Sequence, residues 1–412
     1  ERAHTYVVEF FCARNLFIPF PAVMINHLGT QFLNSVHAYN RVFNDVFEND
    51  SVNSIVAPEA SIDVEMSGDY EPFFVFSSGI LPFSEKIPVR LDSPTGAVTR
   101  EFNVAVSKLA HATIGLGSAF RASEAAAGKV MRIVQPPQFM FYGRLLAGTR
   151  DAASGAFSAN HSYYDSSGVR EYWDNADPAH RTYPVIQGFG MAIRMYPIMS
   201  PGTLDVSIDA FEASGDATVN LHKSQLTSPG STSLDVDVTR ILAAQTLQPA
   251  AIGVSARAAS GNTPTRISHQ IVYYDSESRS RLQASINVSL ASLNAFQPTG
   301  KKAQSWGQII VSQSYRSGLG LAFNRPDGAA SEVVIDFYCR SGHFLQKVFA
   351  LEPRSAWCIT GETLAGALQS AGIAAQEIEP VWYFARSNRP DLAGYSVHSH
   401  RQTGHTSGEH SF

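Results

Sequence analysis

Four of the thirteen histidines lie between Gly394 and His410, and their spacing is the sharpest chemical signal in the chain. On a strand His398 and His400 point to one face, where two imidazoles side by side can hold Zn, Cu, Fe or Ni. His405, Glu409 or His410 would complete such a site, leaving a position open for water or substrate. The competing reading is a solvated chain end carrying ordinary strand histidines.

A second constellation is the run Tyr163, Tyr164, Asp165 followed by Glu171, Tyr172, Trp173 and Asp174. Flat aromatic faces beside carboxylates suit sugar rings, as in a glycosidase or a lectin-like groove, so this loop is the candidate carbohydrate site. A long, half-exposed sandwich loop has the same composition. A third pattern is repeated: Arg257 precedes His269, and Arg386 precedes His398, by twelve residues each, with Arg144 and His161 as a looser upstream pair. These pairs read first as recurring structural hydrogen bonds, and second as groups converging on one ligand. No G-x-S-x-G elbow and no Gly-rich loop ending in Lys-Ser/Thr occurs, which argues against serine-hydrolase and nucleotide chemistry.

The elements that must position these residues are strands. Alternation of Val, Ile, Phe and Tyr with polar residues, bounded by Gly, Pro, Asn and Asp, recurs at Thr5 to Phe11, Phe73 to Phe76, Phe102 to Val106, and Gln138 to Leu145. It continues at Met191 to Met195, Leu204 to Phe211, Gln270 to Tyr274, Val333 to Tyr338 and Val381 to Ala385. Helical spacing predicts only two helices, Ser35 to Phe47 and Gly361 to Ser370. The fold class is therefore all-β: tandem antiparallel β-sandwich domains, Ig-like or jelly-roll-like, with a few short helices.

Self-similarity identifies the building unit. The pattern I-D-x-[FY]-x-x-S-G begins at Ile208 and again at Ile335, 127 residues later, and a fainter copy begins at Leu91-Asp92. His161 and His269 are each followed within a few residues by Tyr-Tyr-Asp. Ala13-Arg14 ahead of His27 suggests part of a fourth copy. Turn-rich stretches divide the chain into an N-terminal segment 1–60 and repeats 61–199, 200–298 and 299–412.

Composition bounds the function. The 412 residues are 44% hydrophobic and 16% charged, with a net charge of -5 and no basic stripe, so the chain folds and nucleic acid is set aside as a partner. No apolar run is long enough to span a bilayer. The low charge density favours an exported or surface location. Cys12, Cys339 and Cys358 lack paired zinc-ribbon spacing, although Cys339 and Cys358 fall on expected neighbouring strands and could be bridged. The leading expectation is a non-enzymatic binding or assembly protein with a protein partner or self-association. The rivals are a metal-dependent enzyme or metal-binding protein using one transition metal ion, and a carbohydrate-binding protein.

Overall fold

The computed structural model describes residues 23–38, 59–63, 70–78, 82–93, 96–120, 130–134, 144–161, 178–195, 202–212, 218–228, 234–261, 263, 266–278, 280, 282–291, 303–326 and 328–411. Within them the chain is all-β, with small antiparallel sheets and two short helices. Among the described residues no helix is long and apolar enough to cross a membrane.

One order of strands occurs three times. The last set is the most complete: β19 (Ala303–Ser312), β20 (Tyr315–Phe323), β21 (Ser331–Cys339), β22 (Gly342–Leu351), β23 (Ala356–Thr360), a helix, then β24 (Ile378–Ser387), β25 (Leu392–His400) and β26 (Thr406–His410). They form two four-stranded sheets, β19-β24-β21-β22 and β23-β20-β25-β26. Inward residues of both sheets, among them Leu319, Leu321, Ile335, Phe337, Val381 and Tyr383, make one core, as alternation across two facing sheets requires.

The middle set repeats this order. Its strands are β11 (Ala179–Pro184), β12 (Phe189–Met195), β13 (Gly202–Phe211), β14 (Thr218–Ser228), β15 (Leu234–Asp237), β16 (Ala251–Ala258), β17 (Arg266–Asp275) and β18 (Ala284–Ala291). The quartets β14-β13-β16-β11 and β18-β17-β12-β15 match those of the last set, and the single pair His180 with Ala291 joins them into one eight-stranded sheet. The first set is β3 (Glu59–Asp63), β4 (Tyr70–Ser77), β5 (Phe83–Ser93), β6 (Gly96–Val106), β7 (His111–Gly115), β8 (Val130–Val134), β9 (Arg144–Asp151) and β10 (Phe157–His161), in sheets β3-β8-β5-β6 and β10-β9-β4-β7. Ahead of it β1 (Val23–Leu28) and β2 (Leu33–Ala38) form, among the described residues, a two-stranded hairpin like the pairs β9–β10, β17–β18 and β25–β26 that close each set. Strands β11 and β12, from the stretch assigned above to 61–199, pair within the middle set.

Both helices stand at the same point of their sets. In α1 (Val238–Gln245) the Asp237 side chain caps the Arg240 amide, and in α2 (Gly361–Ser370) Thr360 caps Thr363. Leu364 and Leu368 of α2, four residues apart, are buried as expected. The helix expected from Ser35 is corrected: Val36 pairs with Ile25 in the β1–β2 hairpin, so tertiary pairing overrides the helical spacing. Residues 39–47 of that expectation, and the strand at Thr5 to Phe11, lie outside the described residues.

The repeated aspartate makes the same hairpin contact in two sets. Asp209 on β13 accepts from Asn220 on β14 at 2.7 Å, and Asp336 on β21 accepts from Gln346 on β22 at 2.7 Å, each across a bulged hairpin. Leu91-Asp92 lies on β5, the corresponding strand of the first set. Cys339 and Cys358 are free thiols. They are not on neighbouring strands, because β21 belongs to one sheet and β23 pairs with β20 in the other.

Candidate metal centre

The strands that close the sets, together with β2, meet in the middle of the chain's packing. β2 packs on β26 and β10, and β18 packs on the same two strands, so the four form a ring. Polar side chains stitch this ring at separations set by the repeat. Ser158 Oγ donates to Gln283 O at 2.6 Å and Asn160 Nδ2 to Ser285 O at 3.2 Å, each across 125 residues. The Ser35 amide reaches Ser407 Oγ at 3.2 Å and the His37 amide reaches Glu409 Oε2 at 3.2 Å, each across 372 residues.

His37, His161, Glu409 and His410 converge inside the ring, each presenting one ligand atom, all within 4.8 Å of one another. Three of the four strands supply them: β2 gives His37, β10 gives His161, and β26 gives Glu409 and His410. The His37 ring lies 4.3 Å from that of His161 and 4.8 Å from that of His410, edge to face. His37 Nδ1 stands 3.1 Å from Glu409 Oε2, with both side chains 1% exposed. His410 Nδ1 donates to Ser411 O at 2.8 Å, which leaves Nε2 as the lone-pair nitrogen, 3.7 Å from Glu409 Oε1. Burial pushes the His410 pKa down to about 4 against the opposing pull of Glu409, so its imidazole is neutral and ligand-competent near pH 7.

Three imidazoles and a carboxylate are a donor set for zinc and for other first-row divalent ions. A tetrahedral ion with bonds of about 2.0–2.2 Å spaces its ligands roughly 3.3–3.6 Å apart, so the longest separation needs to shorten by about an ångström. Four protein donors in a buried pocket make a closed site.

Of the C-terminal residues singled out in the sequence, this group contains Glu409 and His410 but not His398, His400 or His405. His398 is buried, with Nε2 donating to Leu33 O at 3.2 Å, and His400 Nδ1 pairs with Thr403 Oγ1 at 3.1 Å. His405, on the turn between β25 and β26, is buried, and burial lowers its pKa against the opposing pull of Asp151. His398 and His400 are edge-on to Tyr315, at 6.3 and 5.2 Å.

Of the Arg–His pairs, Arg386 binds Asp336 at 2.5 Å, while Arg257 lies 4.0 Å from Asp205 with its side chain half exposed. His269 is buried and its Nε2 contacts the Tyr183 hydroxyl. The upstream pair is one strand out of step. Arg144 opens β9 and His161 ends β10, whereas Arg257 and Arg386 lie on β16 and β24, and His269 and His398 on β17 and β25. Residue spacing counted across unequal loops does not preserve strand identity. Tyr163, Tyr164, Asp165, Trp173 and Asp174 lie outside the described residues.

His37 escaped the sequence reading because it sat in an expected helix. A signal for it exists. Leu33-Asn34, Phe157-Ser158 and Thr406-Ser407 each open a closing strand and are followed by His at the fifth position, while β18 has Val288 there.

The buried histidines also set the acid response. Burial lowers His269 to about 3 and His398 to about 4, alongside His410. Unfolded histidines bind protons near pH 6.5, so the unfolded state carries more protons below that value. Stability is therefore complete above pH 6.5 and declines as pH falls toward 4. Metal-free protein should lose several degrees of Tm between pH 7 and 4.5, measured by calorimetry. A flat profile would refute neutral burial of these three side chains.

No family model and no curated protein matches this chain. Among solved structures, a β-glucuronidase 2 from Bacteroides uniformis is 12% identical over 60% of this chain and 28% of its own, with a TM-score of 0.17. The chain thus spans less than a third of that enzyme. A tetra-tandem repeat from the extending region of a large adhesion protein is 9% identical over 86% of this chain and 74% of its own, with a TM-score of 0.12.

Proposed function

We propose that this chain is a non-enzymatic binding or assembly protein whose tandem β-sandwich units are clasped by one buried transition-metal ion. The observation that carries this reading is the convergence of His37, His161, Glu409 and His410 from three different closing strands. Zinc fits best, because it is redox-inert, accepts imidazole and carboxylate together, and forms closed tetrahedral structural sites. Four protein donors and near-complete burial favour a structural ion over a catalytic one, which keeps a position for water or substrate. The ion would join the β1–β2 hairpin, the first set and the last set, elements up to 372 residues apart in sequence, and so fix the geometry of the surface offered to a partner.

The test is elemental analysis of untagged protein purified without chelator. About one zinc per chain is expected, with removal by chelation lowering Tm. A metal-free protein that binds neither Zn²⁺ nor Co²⁺ on titration would sink the clasp.

A further inference from the structure

The middle set completes the ring but places Val288, 5% exposed, where the other closing strands carry a ligand histidine. What it supplies instead is an amide. Asn287, next to Val288 on β18, donates from Nδ2 to the backbone carbonyl of His161 at 2.5 Å. Gln270, across the hairpin on β17, donates from Nε2 to Asn287 Oδ1 at 2.8 Å and so fixes which end of the Asn287 amide faces His161. His161 is the last residue of β10, and its own N–H is held by Asn160 Oδ1 at 2.7 Å. Asn160 in turn donates to Ser285 O on β18 at 3.2 Å, so the two strands exchange amide clamps around one ligand. Gln270, Asn287, Asn160 and His161 are 1%, 4%, 5% and 3% exposed, so water does not compete for these bonds.

We infer that Asn287, oriented by Gln270, is a positioning residue for the metal ion, through which the one set that gives no ligand controls how tightly the ion is held. The inference rests on the clasp proposed above. A strand end is free to fray, and an imidazole displaced by an ångström no longer shares a tetrahedron with His37 and His410. His161 pairs with Leu146 of β9, and the Asn287 amide holds its carbonyl from β18. Groups that hydrogen-bond a ligating side chain commonly set metal affinity by about 10–100-fold, and Asn287 acts on the same residue through the His161 backbone carbonyl rather than its ring.

The experiment compares wild type, Asn287→Ala and Gln270→Met by competition titration of Zn²⁺ against a chromophoric chelator, by the visible absorption of the Co²⁺ form, and by the Tm of metal-free protein. Both variants are expected to bind Zn²⁺ at least tenfold more weakly and to show a changed Co²⁺ band, Gln270→Met the less of the two. Loss of metal-free Tm with unchanged affinity and Co²⁺ spectrum would make Asn287 a packing residue only and overturn the inference while leaving the clasp intact. A wild type that binds neither ion would remove both. Should Asn287→Ala fail to fold, Gln270→Met decides, since it leaves the Asn287 side chain in place.

Discussion

His37→Ala is expected to abolish stoichiometric zinc and to bring the Tm of the zinc-loaded protein down to that of chelated wild type. His37 is a ligand candidate lying on the β1–β2 hairpin, which among the described residues pairs with no other strand, so its loss removes both a donor and the hairpin's metal-mediated tie. With free zinc about a thousandfold above Kd, a bound ion contributes about 4 kcal/mol, on the order of 10 °C in Tm for units of this size. His161→Ala should do the same from the neighbouring strand β10. His398→Gln should keep its zinc, because His398 is engaged with Leu33 O outside the four-donor group. The opposite pattern, zinc retained in His37→Ala and lost in His398→Gln, would return the site to the C-terminal H-x-H pair.

Asp275→Ala should give the second large effect, and it involves no metal. Asp275 ends β17 in the middle set and is 4% exposed. Its carboxylate accepts from Arg316 Nη1 at 3.2 Å and Ser399 Oγ at 3.1 Å, both in the last set, and from the amides of Glu277 at 3.0 Å and Ser278 at 2.8 Å. Burial alone would raise its pKa. The two amides, Ser399 and Arg316 outweigh that and hold it below the usual carboxylate range. Arg316 is 20% exposed and keeps Glu277 at 2.7 Å, so the cost comes from the amide and hydroxyl donors left without an acceptor, about 1–3 kcal/mol. Calorimetry should show the transition of the middle and last sets falling by several degrees, with zinc stoichiometry unchanged. A shift no larger than that of a surface substitution would show that the two sets are held by their shared apolar contacts instead, with Ala393, Tyr395 and Val397 of the last set packing into the middle core.

What the amino-acid order determined by itself was local. Alternation and turn residues sufficed for the all-β class, and the motif at Ile208 and Ile335 marked equivalent strands, because a carboxylate that caps its own hairpin partner needs only neighbours in sequence. The helix at Gly361 was equally local, with a Thr360 cap and leucines four apart. Tertiary structure decided the rest. Val36 took strand geometry because Ile25 lies opposite it, and a helical spacing carries no information about that pairing. The donor set was drawn from closing strands whose hydrogen bonds cross 125 and 372 residues, so no short spacing could encode it. His398 and His400 looked like ligands because they are close in sequence. Packing instead gave each its own hydrogen-bond partner and brought His410 beside His37 and His161, since repeated units that bury the same face of their last strand converge at one point.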